Sequence, residues 1–137
     1  MTLEVSRALA RARAWGHCEG CGLSTHGRLD PHHRKARGAG GVHRLAAVVA
    51  NDVRNLLALC RPCHDRTEHA DTWTETESLG WRVPQHRDPF ITPALIYTAN
   101  GHGWWLLTKD GGYLWADRES TWRVPMAPES PGIPPTS

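Results

Sequence analysis

The cysteines fall into two pairs, Cys18-Glu19-Gly20-Cys21 and Cys60-Arg61-Pro62-Cys63, which use all 4 cysteines of the chain and are separated by residues 22–59. A CxxC turn points two thiolates at one centre, and two such turns complete the tetrahedral sulfur shell that structural Zn2+ prefers. Two disulfides would be the competing use of four cysteines, but a small intracellular protein has no oxidising compartment to maintain them. Four thiolates leave no open coordination position, so this metal is expected to contribute folding free energy rather than catalysis. Gly20 and Gly22 relieve crowding in the first knuckle, and Arg61 beside the second can favour the thiolate form.

Of the 9 histidines, most lie between the two knuckles or close to them, and His32 and His33 are adjacent in Leu29-Asp30-Pro31-His32-His33-Arg34. Neighbours on extended backbone face opposite sides, so one imidazole can hold a metal while the other addresses a substrate. A single histidine is more often a surface or hydrogen-bonded residue. That reading weakens for a pair placed between zinc half-sites, with Asn55 and His64 downstream. Asp30 precedes His32 by two residues and shares its strand face, so it either adds a ligand or begins an Asp-Pro turn.

The His-His pair after one CxxC, a glycine-rich loop, then Asn55-Leu56 followed by Leu59-Cys60-Arg61-Pro62-Cys63-His64, resembles the HNH endonuclease family over about residues 16–70. The later Gly80-Trp81-Arg82-Val83, Asp88-Pro89 and Trp105-Leu106-Leu107 with Asp110-Gly111-Gly112 look like the C-terminal extension of HNH proteins encoded by actinobacteria and their phages. The resemblance implies a ββα-metal finger and a metal-dependent DNA endonuclease that hydrolyses phosphodiester bonds. It implies that His33 is the general base, that His32 and His64 hold a catalytic divalent metal (Mg2+, Mn2+ or Ni2+), and that Asn55 braces the loop carrying the base. Some members have a third imidazole one helical turn after the position of His64; here that position is Glu68, a candidate further ligand, and His69 lies one residue too far. For members encoded beside phage packaging genes, the implied partner is the large terminase subunit.

The roles are chemically coherent. A neutral imidazole titrates near the operating pH and can take a proton from water attacking phosphorus. Two imidazole ligands leave open positions on the metal for a phosphate oxygen and the departing oxygen. Arg34, Lys35 and Arg37 follow the pair and are expected to clamp flanking phosphates. Charge supports nucleic acid as the partner: residues 1–66 carry 11 Lys/Arg against 5 Asp/Glu, whereas residues 67–137 carry 5 against 9, so the two parts stand at +6 and −4. Ten of those 11 basic residues are Arg, the side chain that pairs bidentately with phosphate.

These side chains need a scaffold, and a hydrophobic content of 39% with 22% charged residues is that of an ordinary globular chain. Thr2 is expected to cap a helix over residues 3 to about 15, with Gly16 as its stop. Residues 17–41 read as knuckle, short strand and loop, with 38–41 a mobile loop. Residues 46–50 form an apolar run of undecided type, and residues 55–60 a short strand leading into a helix that carries Cys63, His64 and Glu68. Short Val/Ile/Trp/Tyr-rich segments at 81–83, 94–98, 103–108, 113–115 and 121–124, separated by Pro, Asn-Gly and Asp-Gly-Gly, predict a small antiparallel β-meander. The expected class is thus α+β: a zinc-stabilised finger with its N-terminal helix over residues 1–76, a β-rich extension over 77–125, and a disordered tail over 126–137. No apolar run approaches the length of a spanning helix and no secretory signal is evident, so a cytoplasmic protein is expected.

The C-terminal tryptophans could stack on unpaired bases, but a small sheet needs large side chains to form a core, and packing is the favoured use. Two rival functions fit part of the pattern. A non-catalytic zinc-dependent DNA-binding module explains the cysteines and arginines but not the co-occurrence of His33, Asn55 and His64. A protein-interaction adaptor explains the tryptophans but not the basic part.

Overall fold

The computed structural model describes residues 2–25, 28–36 and 48–116. Arg37, the glycine-rich residues 38–41, the first part of the apolar run at 46–47, the strand expected at 121–124 and the tail at 126–137 lie outside the described residues. In chain order the elements are α1 (Leu3–Ala14), β1 (Asp30–His33), β2 (Leu56–Leu59), α2 (Arg61–Glu68), α3 (Trp73–Ser78), β3 (Ala94–Thr98), β4 (Gly101–Leu107) and β5 (Tyr113–Trp115). Short 3-10 turns at Val53–Asn55, Ala70–Thr72 and Pro89–Ile91 connect them. This is a small α+β fold with two antiparallel sheets, β1-β2 and β3-β4-β5.

α1 starts where Thr2 Oγ1 accepts from the Val5 amide at 3.1 Å, a cap worth ~1 kcal/mol. Glu4 in its first turn and Arg11 and Arg13 in its last complement the helix dipole. The left-handed stop is Trp15 (φ 56°), one residue before the glycine expected to supply it, and Gly16 (φ 74°) continues the turn into His17. Ser6, Ala10, Arg13 and Ala14 form the buried stripe, and Ala10 packs with Val53 and Leu56, flanked by Leu3 and Leu9.

β1 and β2 pair with Asp30 opposite Leu59, His32 opposite Leu57 and His33 opposite Leu56. Pro31 is tolerated because β1 is an edge strand that can forgo one amide donor. Every residue of β2 is buried, which explains its unbroken Leu-Leu-Ala-Leu run: one side meets α1 and the other the main core. β2 runs straight into α2 with Cys60 as the residue between them.

The meander pairs Ala94 with Trp105 and Thr98 with Gly101 around a two-residue Ala99-Asn100 turn, then Trp105 with Trp115 and Leu107 with Tyr113. The expected strand at residues 81–83 does not form. Gly80 (φ 73°) reverses the chain after α3, where a Cβ would lie 2.1 Å from the Pro93 carbonyl, and the Trp81 and Arg82 amides then turn back onto the Thr76 carbonyl. Trp81 plugs the core instead, 3% exposed, and a Cβ on Gly20 would come within 2.9 Å of its ring. One apolar cluster therefore holds Cys18, Leu57, Leu59, Cys60 and Cys63 together with Trp81, Ala94, Ile96 and Trp105. Trp81, Trp105 and Trp115 are thus spent on packing, as expected for a sheet this small. Among the described residues, no helix is long and apolar enough to cross a membrane.

Candidate metal centres

The two knuckles bring the sulfurs of Cys18, Cys21, Cys60 and Cys63 within 4.8 Å of one another. All four are free thiols, and Cys21 Sγ lies 3.7 Å from Cys60 Sγ, far beyond disulfide length. A tetrahedron of sulfurs ~2.3 Å from a central zinc has edges near 3.8 Å, so this donor set fits a structural zinc. The Cys18 sulfur accepts from the amides of Gly20 (3.3 Å), Cys21 (3.4 Å) and Cys60 (3.2 Å), the pattern that supports a thiolate. A hydrogen bond from Cys63 and these amides, against the effect of burial, pull Cys18 down to about 5, whereas the same bond and burial push Cys63 up. Arg61, expected to favour the thiolate form, has its guanidinium engaged by carboxylates, spanning Asp65 and Asp30.

A second group lies on the β1-β2-α2 unit, where His32, His64 and Glu68 place one donor atom each within 4.8 Å of one another. His32 comes from the strand and is 5% exposed; His64 and Glu68 are one turn apart on α2, and His69, the cap after it, is not in the group. Hydrogen bonding decides which nitrogens are available. His32 Nε2 lies 2.8 Å from the Trp81 carbonyl, which can only accept, so the proton sits on Nε2 and the Nδ1 lone pair is left as a donor to a metal. Thr67 Oγ1, 3.3 Å from that Nδ1, spends its own proton on the His64 carbonyl at 2.6 Å. Burial drops the His32 pKa to about 3, so the ring stays neutral. Two imidazoles and a carboxylate fit a divalent cation, and suit a transition-metal ion better than an all-oxygen site would.

His33 is half-buried and, as the next residue on the strand, faces away from His32. Asn55 is fully buried and bonds Lys35 in both directions: Oδ1 accepts from the Lys35 amide (2.8 Å), and Nδ2 donates to the carbonyls of Lys35 (3.0 Å) and Ala50 (3.0 Å). It thereby pins the chain just past the histidine pair. Lys35 Nζ donates to the Arg87 carbonyl at 2.9 Å and stays partly accessible.

Arg34 requires a correction. Expected to meet phosphate, it is 1% exposed, and its guanidinium donates to the carbonyls of Gly80 (2.8 Å), Arg54 (3.2 Å), Pro89 (3.1 Å) and Thr92 (2.7 Å). Burial lowers its pKa to about 9, which leaves it charged at neutral pH and sustained by carbonyl dipoles. It serves as a brace between β1 and the segment leading into the meander.

Two contributors escaped the sequence reading, and a third, Asp30, read there as a further ligand or the start of an Asp-Pro turn, instead lies in β1 and outside the His32/His64/Glu68 group. The Trp81 carbonyl sets the His32 tautomer from 49 residues away. Asp30 stands behind His64, with Oδ2 3.2 Å from Nδ1. Glu19, between the first two cysteines, is fully buried and pairs with Arg13 at 2.8 Å. An acidic residue inside a CxxC gives no signal of burial, but an arginine on the apolar face of α1 is a hint that a carboxylate waits beneath it. No protein-family model matches this chain, and neither a curated protein nor a solved structure matches it.

Proposed function

We propose that the chain is a metal-dependent DNA endonuclease of the HNH type, in which a zinc-held β1-β2-α2 finger presents a His/His/Glu centre and a histidine base. The observation that carries this reading is the convergence of His32, His64 and Glu68 on one point, with His33 next on the strand and Asn55 fastened to the backbone beyond it. A cation held there would offset negative charge growing on the phosphate and on the departing oxygen. His33, on the opposite face of β1 from His32, takes the proton of the attacking water. Asn55 keeps the end of β1 in place through the Lys35 backbone, and so positions His33 without touching substrate. Lys35 and the exposed Arg87 supply positive charge beside this end of the strand, the role in which Arg34 cannot serve. DNA is the favoured substrate because the basic residues concentrate in the part of the chain that carries the finger.

Nicking of supercoiled plasmid by zinc-loaded protein, titrated with Mg2+, Mn2+ or Ni2+, tests the reading. His33→Ala should lower the rate about 10²–10⁴-fold at every metal concentration while zinc content and DNA affinity stay near parental values. His32→Ala and His64→Ala should lose activity that higher metal partly restores, and Glu68→Ala should shift the metal dependence more than His69→Ala. Full activity of His33→Ala at saturating metal would sink the mechanism. Tight DNA binding with no nicking in any metal would leave a zinc-dependent binding module.

A further inference from the structure

His64 has a carboxylate at each ring nitrogen: Asp30 Oδ2 is 3.2 Å from Nδ1, and Glu68 Oε1 is 3.1 Å from Nε2. A neutral imidazole carries one proton, so only one of these contacts can be a donated hydrogen bond. The choice decides whether the centre can form. With the proton on Nε2, His64 would donate to Glu68 and present no lone pair toward His32. With the proton on Nδ1, it donates to Asp30 and directs Nε2 into the gap shared with His32 and Glu68.

We infer that Asp30 is a positioning residue for the metal centre, holding His64 in the Nδ1–H form, and that Arg61 holds Asp30 in turn; this rests on the reading of His32, His64 and Glu68 as metal ligands. Two features favour Asp30 over Glu68 as the acceptor. Asp30 is fixed by its pairing with Leu59 in β1, whereas Glu68 is the last residue of α2 and its side chain is 60% exposed. Arg61 Nη1 donates to the same Asp30 Oδ2 at 3.0 Å, while its Nε and Nη2 donate to Asp65 Oδ1 at 3.1 and 2.8 Å. That one bond, from a guanidinium anchored on Asp65, orients the Asp30 carboxylate. A carboxylate receiving the far N–H of a ligating imidazole also raises its basicity toward the metal, and removal of such a partner commonly weakens metal affinity 10–100-fold. Arg61 lies between Cys60 and Cys63, so the brace joins the strand of one centre to the knuckle of the other.

The experiment uses the full chain loaded with zinc and titrated with Mn2+, free ion being read by its paramagnetic resonance. Asp30→Ala should raise the Mn2+ Kd by about 10–100-fold with zinc content unchanged. Asp30→Asn, which keeps the shape and drops the charge, should fall between, and Arg61→Ala should weaken binding in the same direction by a smaller factor. Imidazole 15N spectra recorded without Mn2+ give a second readout: His64 should be the Nδ1–H tautomer in the parent and shift toward Nε2–H in Asp30→Ala. Parental Mn2+ affinity in both Asp30 variants, or an Nε2–H tautomer in the parent, would overturn the inference. If His64→Ala weakens Mn2+ binding and Asp30→Ala does not, the assignment of Asp30 alone fails. If neither does, the metal centre fails with it.

Discussion

His32 owes its availability as a ligand to what its other nitrogen does. The Trp81 carbonyl claims Nε2, and burial keeps the ring neutral by lowering its pKa from 6.5 to about 3. Because the folded-state pKa lies below the unfolded one, the unfolded chain binds the extra proton between these values, and stability falls as pH falls. The contribution is intact above pH ~6.5 and is lost progressively toward pH ~3, at up to roughly 1.4 kcal/mol per pH unit. His32→Gln cannot titrate, so the stability gap between parent and variant should narrow as pH is lowered from 6.5, measured by denaturant unfolding at pH values where zinc is retained. A gap independent of pH would mean that His32 is not held neutral. At this scale the sequence was legible where spacing forces proximity, as for His64 and Glu68 one helical turn apart, or for adjacent His32 and His33. It was opaque where burial reverses a side chain's usual use. Arg34 and Lys35 are neighbours of identical charge, yet one lies under the chain with four carbonyls and the other reaches the surface.

The elements show the same division. α1 was legible from its cap, and β2 with α2 from a short apolar run ending at the second CxxC, because local chemistry decides each of them; the buried face of α1, which includes Ser6 and Arg13, was not. The segment at residues 81–83 has strand composition but sits just after Gly80, where the Thr76 carbonyl draws the Trp81 and Arg82 amides away from any ladder and the Val83 amide donates to the Arg34 carbonyl. Between β2 and α2 the zinc knuckle is itself the connecting element: Cys60 ends the strand and Cys63 sits in the first turn of the helix that carries His64 and Glu68. Cys18, Cys60 and Cys63 are also members of the main apolar cluster, so a zinc held by these sulfurs would tie the core as well as the turn. Structural zinc supplies on the order of 10 kcal/mol to such small sites. Cys60→Ser should therefore bind no tight zinc and melt far below the parent, and a strong chelator should bring the parent to the same state. A Cys60→Ser protein that keeps one tightly held zinc and the parental melting temperature would remove Cys60 from the shell.

Across the whole molecule, Glu19 is the point where the two sheets meet. Its amide donates to the Ala58 carbonyl (2.9 Å) and its carbonyl accepts from the Tyr97 amide (2.8 Å), so the first knuckle lies between β2 and β3. Its carboxylate accepts from the Ala58 amide (2.8 Å), from the Arg13 guanidinium (2.8 Å for each of two bonds) and from the Tyr113 hydroxyl. Arg13 also donates to the carbonyls of Val53 (3.3 Å) and Leu56 (2.6 Å). α1, the first knuckle, β2, β3 and β5 thus share one buried charge pair. A fully satisfied pair of this kind adds little over an apolar replacement of the same shape, but removing one partner strands the other charge and costs about 3–5 kcal/mol. Glu19→Ala should show that loss, and Glu19→Gln a smaller one, since the amide oxygen can still accept from the Ala58 amide while the amide nitrogen donates to the Tyr113 hydroxyl oxygen. The joint predicts more than a number. Because one residue ties both sheets, hydrogen exchange at the Ala58 and Tyr97 amides should accelerate together in Glu19→Ala, while the Val5 and Ser6 amides in the first turn of α1 keep their rates relative to global unfolding. Faster exchange at Ala58 with Tyr97 unchanged would mean that the sheets are held to each other by the apolar cluster around Trp81, and that the Arg13–Glu19 pair serves the finger alone.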